Sequence, residues 1–181
     1  MKLIETDIEG LLVIEPYVLS DERGFLFEAW NDSAFREAGL DLTFVQDNHS
    51  RSRKGVLRGL HFQNPVSQGK LVRVINGAVF DVAVDLREGS STFGKWAGVE
   101  LSAENKCMLW VPDGFAHGFL TLSENADFLY KCTAPYSPEF EYTLAWDDPA
   151  IGIDWPIVGL DPIISAKDSR GLTLAEVPVF S

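Results

Sequence analysis

The sequence is poor in cysteine and in positive charge, and each shortage excludes a class of protein. Cys107 and Cys132 are the two cysteines among 181 residues. They lack CxxC spacing, so we expect two buried, reduced thiols rather than a disulfide or a metal-binding pair. The chain has 15 Lys and Arg residues and 27 Asp and Glu residues, which gives a net charge of -12. This argues against nucleic-acid binding, which needs a basic face, although a local cationic cluster could still hold a small anion.

Long apolar runs, linkers and repeats are also absent. No run approaches the roughly 20 residues of a membrane-spanning helix, and the N-terminus becomes acidic at Glu5 before a signal-peptide core could form. We therefore expect no membrane association and a cytoplasmic location. A composition of 46% hydrophobic and 23% charged residues is that of a globular protein. We expect one domain over residues 1–181.

Short strands dominate the hydrophobic pattern. Apolar and polar residues alternate over 80–87, which predicts a strand with its acids on the face opposite the aliphatic residues. The run 71–75 reads as its hairpin partner, because Asn76-Gly77 suits a tight type I′ turn. Three more short apolar runs, each bounded by turn residues, are typical of strands. These runs are 107–111, 119–122 and 128–132.

One short helix and a barrel complete the predicted fold. Residues 33–38 form the helix, with Asn31 or Asp32 as its cap and Gly39 as its stop. Closely spaced strands with little helix favour an all-β barrel or jelly roll. The stretch from Ile151 is rich in Pro and Gly, and we expect it to wrap the barrel in turns and short helices.

Two segments contain histidines in recognisable patterns. Pro112–His117 has the pattern P-x-G-x-x-H, which resembles the second motif of cupins, a family of double-stranded β-helix (jelly-roll) barrels. The first motif needs H-x-H and then Glu, but the chain reads His61-Phe62-Gln63, with Lys70 later. A catalytic metal needs about three protein ligands, and only His61 and His117 remain. We therefore predict no metal and no cofactor, with the Lys70 ammonium stabilising negative oxygen in place of a metal ion.

A longer series of motifs runs in order over nearly the whole chain. It consists of the segments Gln46–Ser50, Gly55–Gln63, Val111–Phe119, Tyr130–Thr133, Asp148–Pro156 and Ser165–Asp168. Together these segments resemble the dTDP-4-dehydrorhamnose 3,5-epimerase family. The resemblance implies inversion of C3 and C5 of a dTDP-4-keto-6-deoxyhexose. It implies that His61 removes the protons, Asp168 orients and charges the imidazole, Tyr130 returns a proton to the opposite face, and Lys70 lies near the C4 oxygen.

The resemblance also implies how the nucleotide is held. Arg23, Arg58 and Lys167 clamp the diphosphate and sugar, and His117 lies beside them. Glu28, Gln46, Asp47 and Asn48 surround the thymidine, Tyr136 stacks on thymine, and Glu141 is a neighbouring ligand contact. The family's N-terminal strands pair with a second subunit, so a homodimer with strand exchange is implied, in which Arg23 and Glu28 serve the partner's pocket.

Alternatives remain open at this stage. Relatives that invert a single centre are not separated from double epimerases by these motifs, and a metal cupin or a non-catalytic sugar-binding cupin are further classes. Tyr130 and Tyr136 could be packing aromatics. Of the acids on the 80–87 strand, we expect Asp81 to support the site from behind and Asp85 to be solvated. Ala134-Pro135 and Phe140 depart from the family pattern, which leaves the base preference open.

Overall fold

The computed structural model describes residues 1–157, 159 and 161–181. Within this part the chain forms thirteen strands, one α-helix and two 3₁₀ turns. The strands are β1 (Lys2–Glu5), β2 (Leu12–Glu15), β3 (Leu19–Asp21), β4 (Gly24–Leu26), β5 (Gln46–Arg53), β6 (Leu57–Gln63), β7 (Lys70–Asn76), β8 (Ala78–Asp85), β9 (Trp96–Ser102), β10 (Met108–Val111), β11 (Phe115–Thr121), β12 (Asn125–Cys132) and β13 (Glu141–Thr143). Helix α1 is Asp32–Glu37, and the 3₁₀ turns are Pro138–Phe140 and Asp168–Arg170.

Two antiparallel sheets form the barrel. One has the strand order β1-β2-β10-β7-β12-β5 and the other β13-β6-β11-β8-β9, while β3 and β4 form a separate hairpin. Buried side chains of both sheets share one core, for example Val72 and Phe128 with Ala83 and Phe119. Facing antiparallel sheets of this kind form a jelly roll. The predicted all-β, cupin-type fold is confirmed.

The predicted hairpin at Asn76-Gly77 is wrong. β7 pairs with β10 and β12, whereas β8 pairs with β9 and β11, so the two strands belong to different sheets. A type I′ turn needs positive φ at both central residues. Gly77 has φ 76°, but Lys106 is the only non-glycine residue of the described chain with positive φ. The chain therefore uses Gly77 to cross from one sheet to the other.

The predicted helix is confirmed with a small change of bounds. Helix α1 begins one residue earlier than expected, at Asp32, and Asn31 is its cap, since Asn31 Oδ1 accepts the Ala34 N–H at 3.1 Å. Phe35 is its buried residue and packs against Trp30. The helix thereby closes the outer side of the six-stranded sheet, in a cluster with Leu71 and Trp110 of that sheet.

The described C-terminal residues cover the outer face of the other sheet. Trp155 and Val177 pack on Val82 and Val84 of β8, and a 3₁₀ turn with isolated bridges replaces regular strands. The predicted wrapping is thus confirmed. The solvated position expected for Asp85 is wrong: its side chain is fully buried. Arg87, Ser90 and Thr92 all donate to its carboxylate, and these charge-assisted bonds compensate its burial.

Cys132 is buried and Cys107 only partly so, and both are free thiols. No helix in the described part of the chain is long and apolar enough to span a membrane.

Candidate active site

Two histidines meet on neighbouring strands in the barrel. His61 of β6 and His117 of β11 are Cα partners in the antiparallel register. The strands approach closely beside them, because a Cβ at Gly59 would lie 2.7 Å from the Gly118 Cα and φ of Gly59 is +117°. Only glycine satisfies both constraints. The G-x-H spacing in β6 therefore has a steric reason.

Asp168 supports His61 from behind. Its Oδ1 lies 2.7 Å from His61 Nε2, and the Gly59 N–H approaches its other oxygen at 3.4 Å. The 3₁₀ turn Asp168–Arg170 places this carboxylate, which is 4% exposed. Burial alone would raise the pKa of Asp168, but the hydrogen bond and charge of His61 outweigh it and lower the pKa below its ordinary value. The side chain is therefore a carboxylate at neutral pH.

A cavity of about 150 Å³ opens in front of this pair. It is lined by His61, Lys70, Tyr130, Arg58 and His117, together with Ser50, Gly118, Phe119 and Phe128. Five of the predicted site residues thus surround one space. Asp168 reaches it only through the imidazole of His61.

Lys70 and Tyr130 line this cavity with an amine and a phenol. Lys70 is 7% exposed, and its Nζ donates to the His61 carbonyl oxygen at 3.2 Å. Burial lowers the pKa of Lys70. Burial also raises the pKa of Tyr130, so its phenol stays protonated at neutral pH and can donate a proton.

A second histidine–carboxylate pair lies deeper. His117 Nε2 is 2.8 Å from Asp81 Oδ1, and both side chains are buried. Burial raises the pKa of Asp81. The other oxygen of Asp81 has no hydrogen-bond partner among the described residues. The structure thus places Asp81 behind His117.

A polar network flanks the site at β13. Glu141 accepts from the Tyr136 hydroxyl at 2.8 Å and forms an ion pair with Lys167 at 2.6 Å. Burial would raise the pKa of Glu141, but the bonds from Lys167 and Tyr136 lower it below its ordinary value. The hydrogen bond to Glu141 raises the pKa of Tyr136, whose residue is 51% exposed. Three predicted binding residues are therefore joined.

The side chains of β5 divide between two faces. Gln46 and Asn48 lie on the less exposed face of the strand, joined by a 3.1 Å bond, with Asn48 also contacting the Cys132 thiol. Asp47 points the other way and pairs with Lys131 at 2.8 Å. Strand alternation accounts for this split. The structure does not bring Asp47 together with its two neighbours.

Arg58 is held by Ser52, whose Oγ accepts its Nε–H at 2.9 Å. The two N-terminal candidates lie away from the cavity of their own chain. Arg23 pairs with Asp21 on the exposed β3–β4 hairpin, and Glu28 accepts from Asn31. Neither lines the cavity.

Sequence reasoning missed Ser50, Phe119 and Phe128 as lining residues. Alternation along β12 offered a signal for one of them, because Phe128 shares a face with Tyr130. In the described part of the chain, no three His, Cys, Asp or Glu side chains group as ligands for a metal ion.

The fold and the site define a cupin-type barrel that carries a histidine–carboxylate pair, a phenol and an ammonium group around one cavity, which is an acid–base set. The family model described as dTDP-4-dehydrorhamnose 3,5-epimerase matches residues 5–176, and the chain belongs to this family. The resemblance inferred from the motifs is confirmed.

Relatives match over nearly the full chain. The dTDP-4-dehydrorhamnose 3,5-epimerase of Salmonella typhimurium is 60% identical, with 93% of each chain covered. That of Escherichia coli is 56% identical, over 98% of this chain and 96% of its own. The crystal structure of dTDP-6-deoxy-D-glucose-3,5-epimerase from Legionella pneumophila, in complex with dTDP-4-keto-L-rhamnose, superposes with a TM-score of 0.94 at 51% identity. The superposition covers 98% of this chain and 94% of the Legionella pneumophila chain.

Proposed function

We propose that this protein inverts C3 and C5 of dTDP-4-dehydro-6-deoxy-D-glucose and so forms dTDP-4-dehydro-L-rhamnose. Full-length relatives with this activity, 56–60% identical, support the reaction. The observation in this chain that carries the proposal is the 2.7 Å contact of His61 with Asp168, beside a cavity that Tyr130 and Lys70 also line.

Proton removal is the first step. C3 and C5 both flank the C4 ketone, so loss of either proton leaves an enolate with its charge on the C4 oxygen. Asp168 holds Nε2 of His61, which leaves Nδ1 to take the proton. Lys70 stabilises the enolate oxygen. A positioned base contributes about 10²- to 10⁴-fold, and a cation fixed at the developing charge adds to that.

Proton return from the other face completes each inversion. Tyr130 delivers its phenolic proton to the carbon that His61 has deprotonated. The carbon proton then resides on the imidazole and the negative charge on the phenolate. Both groups must exchange protons with water before the second centre is inverted.

The outer residues bind the rest of the substrate. Arg58 and Arg23 hold the diphosphate and sugar, because guanidinium groups match phosphate oxygens in a bidentate fork, and the ammonium of Lys167 adds a point charge. The half-exposed ring of Tyr136 stacks on thymine, with Glu141 beside it. Gln46, Asn48, Asp47 and Glu28 surround the thymidine, and His117 lies near the sugar.

We further infer a homodimer in which the N-terminal strands are exchanged. The β3–β4 hairpin and the residues just before it expose a group of large apolar side chains, 54–73% exposed, which are Tyr17, Leu19, Phe25 and Leu26. A second copy would cover them, and Arg23 at the turn would enter the partner's cavity. Light scattering should give a dimer for the protein and a monomer for Leu26→Glu; an unchanged mass for the variant would contradict the exchange.

Proton NMR in D₂O tests the reaction directly. The protein is incubated with dTDP-4-keto-6-deoxyglucose, and deuterium entry at C3 and C5 of the sugar is followed beside His61→Ala. We expect exchange at both centres, abolished in the variant. Exchange at C3 alone would indicate a single-centre epimerase. The absence of exchange would refute the proposal.

A further inference from the structure

The sequence contains three glutamines, Gln46, Gln63 and Gln68, and all three hold one loop. This loop, residues 134–137, follows β12 and carries Tyr136. Gln68 Nε2 donates to the first carbonyl of the loop at 2.7 Å. Gln46 Oε1 accepts the backbone N–H of Tyr136 at 2.8 Å. Side-chain amides thus take the place of secondary-structure partners for this backbone.

Gln63 makes more hydrogen bonds here than either of the other two glutamines. Its Oε1 accepts the Ser137 N–H at 2.9 Å, while its Nε2 donates to the Val66 carbonyl at 2.9 Å and the Pro135 carbonyl at 3.3 Å. The residue is 3% exposed. Since both ends of the amide are occupied and buried, Gln63 cannot contact a ligand. Any effect on binding must pass through the loop.

We propose that Gln63 is a positioning residue for the nucleoside end of the substrate. By fixing loop 134–137, it holds the half-exposed Tyr136 ring ready for the base. An unfixed loop would have to be ordered on binding, and that cost subtracts from affinity. This inference rests on the proposed function, in which Tyr136 stacks on thymine.

The chemistry of the amide explains why glutamine suits this place. The first cupin motif has a second histidine where Gln63 stands, two residues after His61. A neutral imidazole has one donor and one acceptor, whereas the three bonds of Gln63 need two donors and one acceptor. Glutamine at position 63 can therefore make all three of these hydrogen bonds, whereas a neutral histidine could not.

Gln63→Met tests the proposal, because it keeps the length of the side chain and removes all three bonds. We expect KM for the dTDP-sugar and Kd for dTDP, measured by calorimetry, to rise about 10-fold. We expect kcat to stay within about two-fold, since the lost interaction is remote from the reacting carbons. Thr6→Val is the matched control. It also removes hydroxyl–backbone bonds, because Thr6 Oγ1 accepts the Ile8 N–H and shares its one O–H between the Ile8 and Leu11 carbonyls. Thr6 lies in the β1–β2 turn at the far edge of the sheet, and the variant should leave both constants unchanged.

A double variant separates positioning from a general structural effect. If Gln63 acts through Tyr136, Gln63→Met should weaken dTDP binding by less than about two-fold in a Tyr136→Leu background. A full 10-fold loss in that background would overturn the proposal, as would wild-type affinity in Gln63→Met or an equal loss in Thr6→Val. If Gln63→Met fails to fold in thermal denaturation, Gln68→Met should weaken dTDP binding about three-fold, and unchanged affinity there would also overturn it.

The dTDP measurement needs no turnover. A protein that binds dTDP through this loop but exchanges no sugar proton would refute the proposed reaction and leave the role of Gln63 standing.

Discussion

Replacing Asp168 by Asn should lower kcat and leave KM unchanged. Asp168 is buried behind His61 and contacts the imidazole at 2.7 Å, outside the cavity. The variant keeps the shape of the side chain but loses the negative charge that stabilises the imidazolium formed when His61 takes a proton. A hydrogen bond to a charged group contributes about 1.5–3 kcal/mol. At about 1.4 kcal/mol per tenfold change in rate, kcat should fall about 10- to 150-fold.

The assay is the initial rate of deuterium entry at C3 and C5 at saturating and limiting substrate. Asp148→Asn is the matched control, because Asp148 is also a buried acceptor, 5% exposed. Its carboxylate accepts hydrogen bonds from the backbone N–H groups of Ala150 at 2.8 Å and Leu174 at 2.6 Å. It should lose stability and keep its turnover. A kcat of Asp168→Asn within about three-fold of the wild type would refute the reasoning, and so would a loss that appeared in KM alone.

Three further results are expected. Tyr130→Phe should continue to exchange C3 and C5 protons, which depends on His61, while net inversion measured as product falls about 100-fold; loss of exchange in step with inversion would contradict a separate acid. Lys70→Met should lower kcat about 100- to 1000-fold without loss of dTDP affinity, and weakened dTDP binding would place Lys70 at the nucleotide instead. Hydrogen bonds from Arg87, Ser90 and Thr92 overcome burial and lower the pKa of Asp85 from 3.8 to about 2, so its stabilisation is present above pH 4 and is lost as pH falls towards 2. In urea unfolding, Asp85→Asn should be clearly less stable than the wild type at pH 7 and nearly equal to it at pH 2, and a constant difference would contradict this.

Local residue patterns were enough to predict the fold class and the family of this protein. The cap at Asn31 and the all-β fold class depend on residue types and spacings a few positions apart, and these predictions are confirmed. The family followed from motif segments in order along the chain, which the comparisons confirm. The individual site residues remain predictions, although five of them surround one cavity.

Pairings between distant residues were decided only by the tertiary structure. Asn76-Gly77 has the local signature of a hairpin, but the strand partners of β7 and β8 lie elsewhere in the chain, and sheet pairing depends on those contacts. His61 and Asp168 are 107 positions apart, so no local pattern joins them. The hydrogen bond of Gln63 to Ser137 of loop 134–137 likewise joins residues 74 positions apart. The burial of Asp85 depends on tertiary packing as well, although its partners Arg87, Ser90 and Thr92 are close in sequence. The sequence by itself determined the fold class and the family because they depend on residue types in order, while the tertiary structure decided which groups share a hydrogen bond, because that depends on distances in space.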